Sequence, residues 1–157
     1  MVQKSQIPPK GVSSEQDQGR ILCSFDGDDD RIVFHSFLSS HKWILLDGDK
    51  IAALVSVLLA QELSAAGLMG EFSLGVVQTA YANGASSAYP KSQNIPVVMA
   101  KTGVKFLHKK AHEFDIGVYF EANGHGTVLF SHQFLERLQK IKPVEPRDRL
   151  AVRRLQV

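Results

Sequence analysis

The chain has 157 residues, 44% of them hydrophobic, and its 18 basic and 16 acidic side chains leave a formal net charge of +2. That suffices for one ordinary domain with its own core and excludes a large enzyme built from several domains. The bases are scattered rather than massed, so nucleic acid is not an expected partner, and the lone cysteine, Cys23, excludes an internal disulfide and fits a reducing cytoplasm.

Residues 3–20 are polar and punctuated by Pro8, Pro9 and Gly11, so 1–20 reads as an exposed connecting segment without a signal-peptide core. Ile21 to Phe25 reads as a short strand with Cys23 as a small buried residue. It runs into Asp26-Gly27-Asp28-Asp29-Asp30-Arg31, four carboxylates in five residues. A strand does not readily bury so much like charge, so the backbone is expected to turn outward here. Asp26, Asp28 and Asp30, at alternate positions, can bring three monodentate oxygens to one hard cation. Magnesium suits such a set because it keeps waters or a substrate phosphate in its other sites. The plainer reading is a solvated acidic turn. A calcium EF-hand loop is excluded, since Arg31 and Phe37 stand where it needs glycine and a bidentate glutamate. A phosphatase with an aspartyl nucleophile also follows a strand with paired aspartates, but usually wants a small hydroxyl residue where Asp30 stands.

Strands are expected over Arg31 to Phe37 and Trp43 to Leu46, with a turn at Ser39-Ser40-His41-Lys42. Asp47-Gly48-Asp49 has the letters of a second metal loop, but the apolar run behind it makes a helix start the better reading, with the helix continuing to about Ala66. Its apolar stretch 51–60 is too short to span a bilayer. Leu74 to Ala80 and Ile95 to Ala100 read as strands, and Asn83 to Ser87 as a turn opening a short helix. Thr102-Gly103 opens another, with Val104, Leu107, Ala111 and Phe114 on one apolar face. His108 and His112 lie four apart on its other side, as helical zinc ligands do, but without the protease pattern or an evident third ligand they read as a solvated basic face with Lys109 and Lys110. Ile116 to Phe120 and Thr127 to Phe130 are strands joined by Glu121-Ala122-Asn123-Gly124-His125-Gly126. Asn123-Gly124 is itself a strong hairpin-turn signal. Strands alternating with helices predict an α/β fold, a layered mixed sheet with flanking helices and an antiparallel hairpin at its end. Phe134, Leu135, Leu138 and Ile141 suggest a terminal helix, while Pro143 and Pro146 break the pattern.

At this point the residues resemble a known family. The segment from Ser24 to Arg31 is similar to the metal loop of the α-D-phosphohexomutases. Three later segments, Gly75 to Gly84, Lys101 to Lys105 and Phe114 to Gly126, narrow the resemblance to the phosphoacetylglucosamine mutase family. The resemblance spans about residues 20–131. It implies interconversion of N-acetylglucosamine 6-phosphate and 1-phosphate through a phosphoserine and a bisphosphorylated sugar, serving UDP-N-acetylglucosamine synthesis. By position, it implies magnesium on Asp26, Asp28 and Asp30, and Arg31 near the phosphoserine. Glu121, Asn123 and His125 would recognise the sugar, with Thr102, Gly103 and Lys105 close to the substrate.

The resemblance further implies that 21–46 ends a metal-binding second domain, that 47–131 is the third, sugar-recognising domain, and that 132–157 is a divergent or truncated tail. Asp29 departs from the family loop, which usually carries alanine there. No Ser-His-Asn run matching the phosphoserine loop occurs in the chain. The expected partners are therefore N-acetylglucosamine phosphates and the missing domains of the same enzyme, with the isolated chain inactive. The alternatives are a catalytically silent sugar-phosphate-binding or regulatory fragment, and a phosphohexomutase of different sugar specificity.

Overall fold

A computed structural model describes residues 7–141 and 146–155. In chain order these form α1 (Ser14–Asp17), β1 (Leu22–Phe25), β2 (Ile32–Ser39), β3 (Lys42–Leu46), α2 (Gly48–Ala65), β4 (Leu74–Thr79), α3 (Gly84–Ser92), β5 (Val97–Ala100), α4 (Val104–Ala111), β6 (Ile116–Phe120), β7 (Gly126–Phe130), α5 (His132–Lys140) and α6 (Pro146–Leu155). The expected α/β layering is observed.

The first sheet, β1-β2-β3, is antiparallel, and the acidic loop is the connection between β1 and β2. Side chains alternate faces along a strand. Leu22 and Ser24 therefore share a face with buried Val33 and His35, while Ile21, Cys23 and Phe25 line the opposite, open face. Cys23 is consequently exposed, correcting the expectation that it is buried. His35 is buried, its Nε2 3.1 Å from Ser24 Oγ, and burial pushes its pKa down because the charged imidazolium is disfavoured there.

The second sheet has the order β5-β4-β6-β7, with β4 parallel to β5 and β6, and β7 antiparallel to β6. Strand β4 is buried along its whole length, as a central parallel strand requires. Val76, Ile116 and Val118 pack on one face against Ala52, Val57 and Leu63 of α2 and Phe134 and Leu138 of α5. Val77 and Tyr119 pack on the other against Leu107 and Ala111 of α4, the helical face anticipated from the spacing. Each buried Val, Leu or Ile of this kind contributes about 1.5–3 kcal/mol relative to exposure. The Asp115 carboxylate accepts from the backbone N–H and hydroxyl of Ser73 and from the Ser131 hydroxyl, which hold it below the usual carboxylate range. One side chain thus ties together the edges of β4, β6 and β7.

Segments on both flanks of the two sheets pack onto the fold. Phe134 and Leu138 of α5 and Ala151, Val152 and Leu155 of α6 are buried, and Arg154 Nε reaches Glu62 Oε1 at 2.7 Å. Pro146 does not break a helix but begins one, at a position where the missing N–H costs nothing. Pro143 lies outside the described residues. In the N-terminal segment, α1 buries Asp17, which takes the Ser13 N–H and the Arg20 guanidinium, and Gly19 N–H donates to Phe37 O on β2. Gln18 and Gly19 thus fasten the end of this segment to the first sheet. No helix among the described residues is long and apolar enough to cross a membrane.

Candidate functional site

The acidic loop brings one carboxylate oxygen each from Asp26, Asp28 and Asp30 within 4.8 Å of one another. Asp28 and Asp30 are exposed and Asp26 half-buried, so solvent or a phosphate oxygen can complete a coordination shell. The donors are all hard carboxylate oxygens, which fits magnesium and not a thiophilic metal. Asp29 adopts a left-handed φ of 57°, and its N–H turns back toward Asp26 O at 3.4 Å. Aspartate tolerates that conformation better than most residues. The fourth carboxylate therefore shapes the turn and stands outside the converging trio.

Arg31 folds back on the same loop. Its N–H donates to Asp26 Oδ1, and its Nε lies 3.4 Å from both Asp26 Oδ2 and Asp30 Oδ1. The arrangement offsets part of the repulsion between the carboxylates and keeps a guanidinium at the rim.

The Glu121–Gly126 loop closes the β6–β7 hairpin and lies directly against the acidic loop. Ile32 N–H donates to Gly124 O at 3.2 Å, and His125 Nδ1 lies 3.3 Å from Asp30 Oδ2. Gly124 has φ 91°, and a Cβ built there would overlap the Ile32 carbonyl. The turn reading of Asn123 holds, since its Oδ1 accepts the His125 N–H in an Asx turn. Glu121 reaches the third loop, its Oε1 accepting from Gly103 N–H at 3.1 Å. Gly103 takes φ 114° at the start of α4, so its amide is occupied by Glu121 rather than left open for a ligand. Thr102 and Lys105 are exposed beside it, and Lys105 Nζ lies 5.1 Å over the Phe106 ring.

The first turn of α2 seats this assembly. Asp47 caps the helix by accepting Lys50 N–H, confirming the helix-start reading. Gly48 N–H donates to Ala122 O, and a Cβ at Gly48 would overlap the Glu121 carbonyl. Asp49, 4% exposed, accepts Asn83 N–H at 2.8 Å, and burial raises its pKa more than that bond lowers it. Gly48 thus seats the Glu121–Gly126 hairpin and Asp49 holds the start of α3, roles masked in the sequence by their obvious service as a helix start.

These features define the class. Among the described residues, seven strands in two sheets carry a carboxylate loop with a hairpin loop packed against it, and solved members of the α-D-phosphohexomutase superfamily share this fold. A solved N-acetylglucosamine-phosphate mutase of that superfamily, in its apo form, superposes with a TM-score of 0.91 at 41% identity, covering 99% of this chain and 34% of its own. Aspergillus fumigatus N-acetylphosphoglucosamine mutase, solved with GlcNAc-6P and magnesium, superposes with a TM-score of 0.90, also at 41% identity, over 99% and 31% of the two chains. The family described as phosphoacetylglucosamine mutase AMG1, domain III, matches residues 47–157, and the chain belongs to the phosphoacetylglucosamine mutase family. It is 50% identical to the Mus musculus phosphoacetylglucosamine mutase over 141 residues, 89% of this chain and 25% of that protein. With the Saccharomyces cerevisiae enzyme it shares 51% over 135 residues, 85% of this chain and 24% of that one. The chain spans about a quarter of the length of these relatives.

Proposed function

We propose that this chain supplies the magnesium loop and the sugar-recognition loop of a phosphoacetylglucosamine mutase. The reaction interconverts N-acetylglucosamine 6-phosphate and 1-phosphate through a phosphoserine and a bisphosphate intermediate, in UDP-N-acetylglucosamine biosynthesis. The observation that carries the reading is the contact between the two loops, Asp30 with His125 and Ile32 with Gly124. It sets a cation site beside a hairpin bearing Glu121 and Asn123, whose donors and acceptors suit sugar hydroxyls.

Phosphoryl transfer asks a protein chiefly for positioning and for positive charge against spreading negative charge. Magnesium on Asp26, Asp28 and Asp30 would supply charge at the phosphoserine. Arg31, fastened to Asp26 and Asp30, adds a guanidinium at the same rim. Glu121, held by Gly103 N–H, presents its carboxylate to the sugar, and Thr102 and Lys105 stand at the substrate's edge. His125 stands against Asp30 and would meet the sugar from there. The phosphoserine comes from a part of the enzyme outside this chain, whose 157 residues contain no Ser-His-Asn run. The open apolar row of Ile21, Cys23 and Phe25, with Ile21 78% and Phe25 58% exposed, suits cover by the enzyme's remaining domains. The setting is the cytoplasm.

The test is a chimera in which this chain replaces the corresponding quarter of the Saccharomyces cerevisiae relative. It should convert N-acetylglucosamine 6-phosphate, and Glu121→Ala should lower kcat/KM by about 100-fold or more, a loss of roughly 3 kcal/mol of transition-state binding. A folded chimera that ignores this substrate, or prefers glucose 6-phosphate, would contradict the reading. The isolated chain should bind sugar phosphate without turnover.

A further inference from the structure

Near the C-terminal end of α4, two imidazoles stand one turn apart. His108 Nε2 and His112 Nε2 are 3.1 Å from each other, with ring centroids at 4.8 Å and planes at 80°. On its other edge His108 Nδ1 lies 2.9 Å from the hydroxyl of Tyr119, a buried residue of β6. We propose that His108 and His112 form a bidentate site for a borderline transition-metal dication, such as copper(II), nickel or zinc, separate from the carboxylate loop.

The spacing fits a chelate. Two metal–nitrogen bonds of about 2.0–2.1 Å meeting at about 100° span about 3.1 Å. Imidazole nitrogen suits these metals and not magnesium, so the two sites of the chain select different ions. A histidine that ligates through Nε2 carries its proton on Nδ1 and needs an acceptor for it, which the Tyr119 oxygen supplies. Tyr119 can thereby accept the Nδ1 proton of the tautomer that His108 needs.

The site sits at the C-terminal end of α4, where the helix dipole favours positive charge. Nearby cations act against it. Lys109 is exposed, while Lys110 is paired with Glu113 at 2.7 Å and Lys105 lies over Phe106. No third His, Cys, Asp or Glu joins the pair among the described residues. Both rings are exposed, so water fills the other positions, and the bound ion closes a bridge across the last turn of α4.

The experiment adds one equivalent of copper(II) to the untagged 157-residue chain in excess magnesium and records the electron paramagnetic resonance spectrum with a binding isotherm. The expected spectrum carries hyperfine structure from two imidazole nitrogens. His112→Gln, at an exposed position, should leave the circular dichroism unchanged, remove one nitrogen and weaken binding roughly tenfold or more, as the chelate becomes a single ligand. Tyr119→Phe should keep both nitrogens and weaken binding about tenfold. An all-oxygen signal, or an unchanged spectrum and affinity in His112→Gln and in the double variant His108→Gln/His112→Gln, would overturn the site.

Discussion

Gly124 and Ile32 lock the two candidate loops together: Ile32 N–H donates to Gly124 O at 3.2 Å, and the space beside the Gly124 Cα is filled by the Ile32 carbonyl. Neither loop can move far without the other. Gly124→Ala meets both a left-handed φ of 91° and a backbone overlap, so it should destabilise the chain by roughly 2–4 kcal/mol. Gly11→Ala is the control, with a similar φ of 89° and nothing within 4 Å, and should cost only about 1 kcal/mol. Urea denaturation of the two variants measures the difference. Equal losses would mean that the loop contact contributes nothing.

Removing a carboxylate from the acidic loop should have opposite effects with and without the cation. Four aspartates within five residues repel one another. Asp28→Asn should therefore raise stability slightly in chelator, by a few tenths of a kcal/mol, and abolish the rise expected from magnesium in the parent chain. Thermal melts in chelator and in magnesium check both signs.

Glu121 has a structural task separable from any sugar. Its bond to the Gly103 N–H ties the β6–β7 hairpin to the start of α4. Glu121→Ala should cost about 1 kcal/mol and speed amide exchange at Gly103 without changing exchange in the β4 core. Hydrogen exchange followed by NMR reads this directly.

Two buried groups give stability opposing pH dependences. The folded pKa of His35 lies below 6.5, so its contribution is complete above that value and is lost as pH falls through the folded pKa. The folded pKa of Asp49 lies above 3.8, so its contribution is complete below 3.8 and declines as pH rises through the folded pKa. His35→Phe should flatten the loss of stability on the acid side of neutrality. Asp49→Asn should remove the opposing trend, with its side-chain oxygen still able to accept the Asn83 N–H. Denaturation midpoints across about pH 4–8 distinguish the two, because the histidine and carboxylate trends run in opposite directions over that range.

Local signals are readable in the sequence wherever one segment suffices. The acidic turn, the Asp47 cap, the α4 face of Leu107 and Ala111, and the Asn123-Gly124 hairpin all depend on neighbouring residues, and the structure contains each. Contacts between segments are not readable in this way. His125 meeting Asp30, Glu121 meeting Gly103, and Asp49 meeting Asn83 join residues 18 to 95 positions apart through the topology of two sheets. Cys23 falls on the open face because five residues of strand do not reveal which face is covered. Pro146 opens a helix where a break is expected, since proline at a helix start and proline as a helix breaker look alike in sequence.

If Asp26, Asp28 and Asp30 hold magnesium, the hairpin fastened to them must respond to the ion. Titrating magnesium into the isotopically labelled chain and following backbone amides by NMR tests this most directly. The expected result is saturable shifts at residues 26–32 and, with the same affinity, at Gly124 and His125, weakened about tenfold by Asp28→Asn. Shifts absent from the loop, or unchanged in Asp28→Asn, would contradict it.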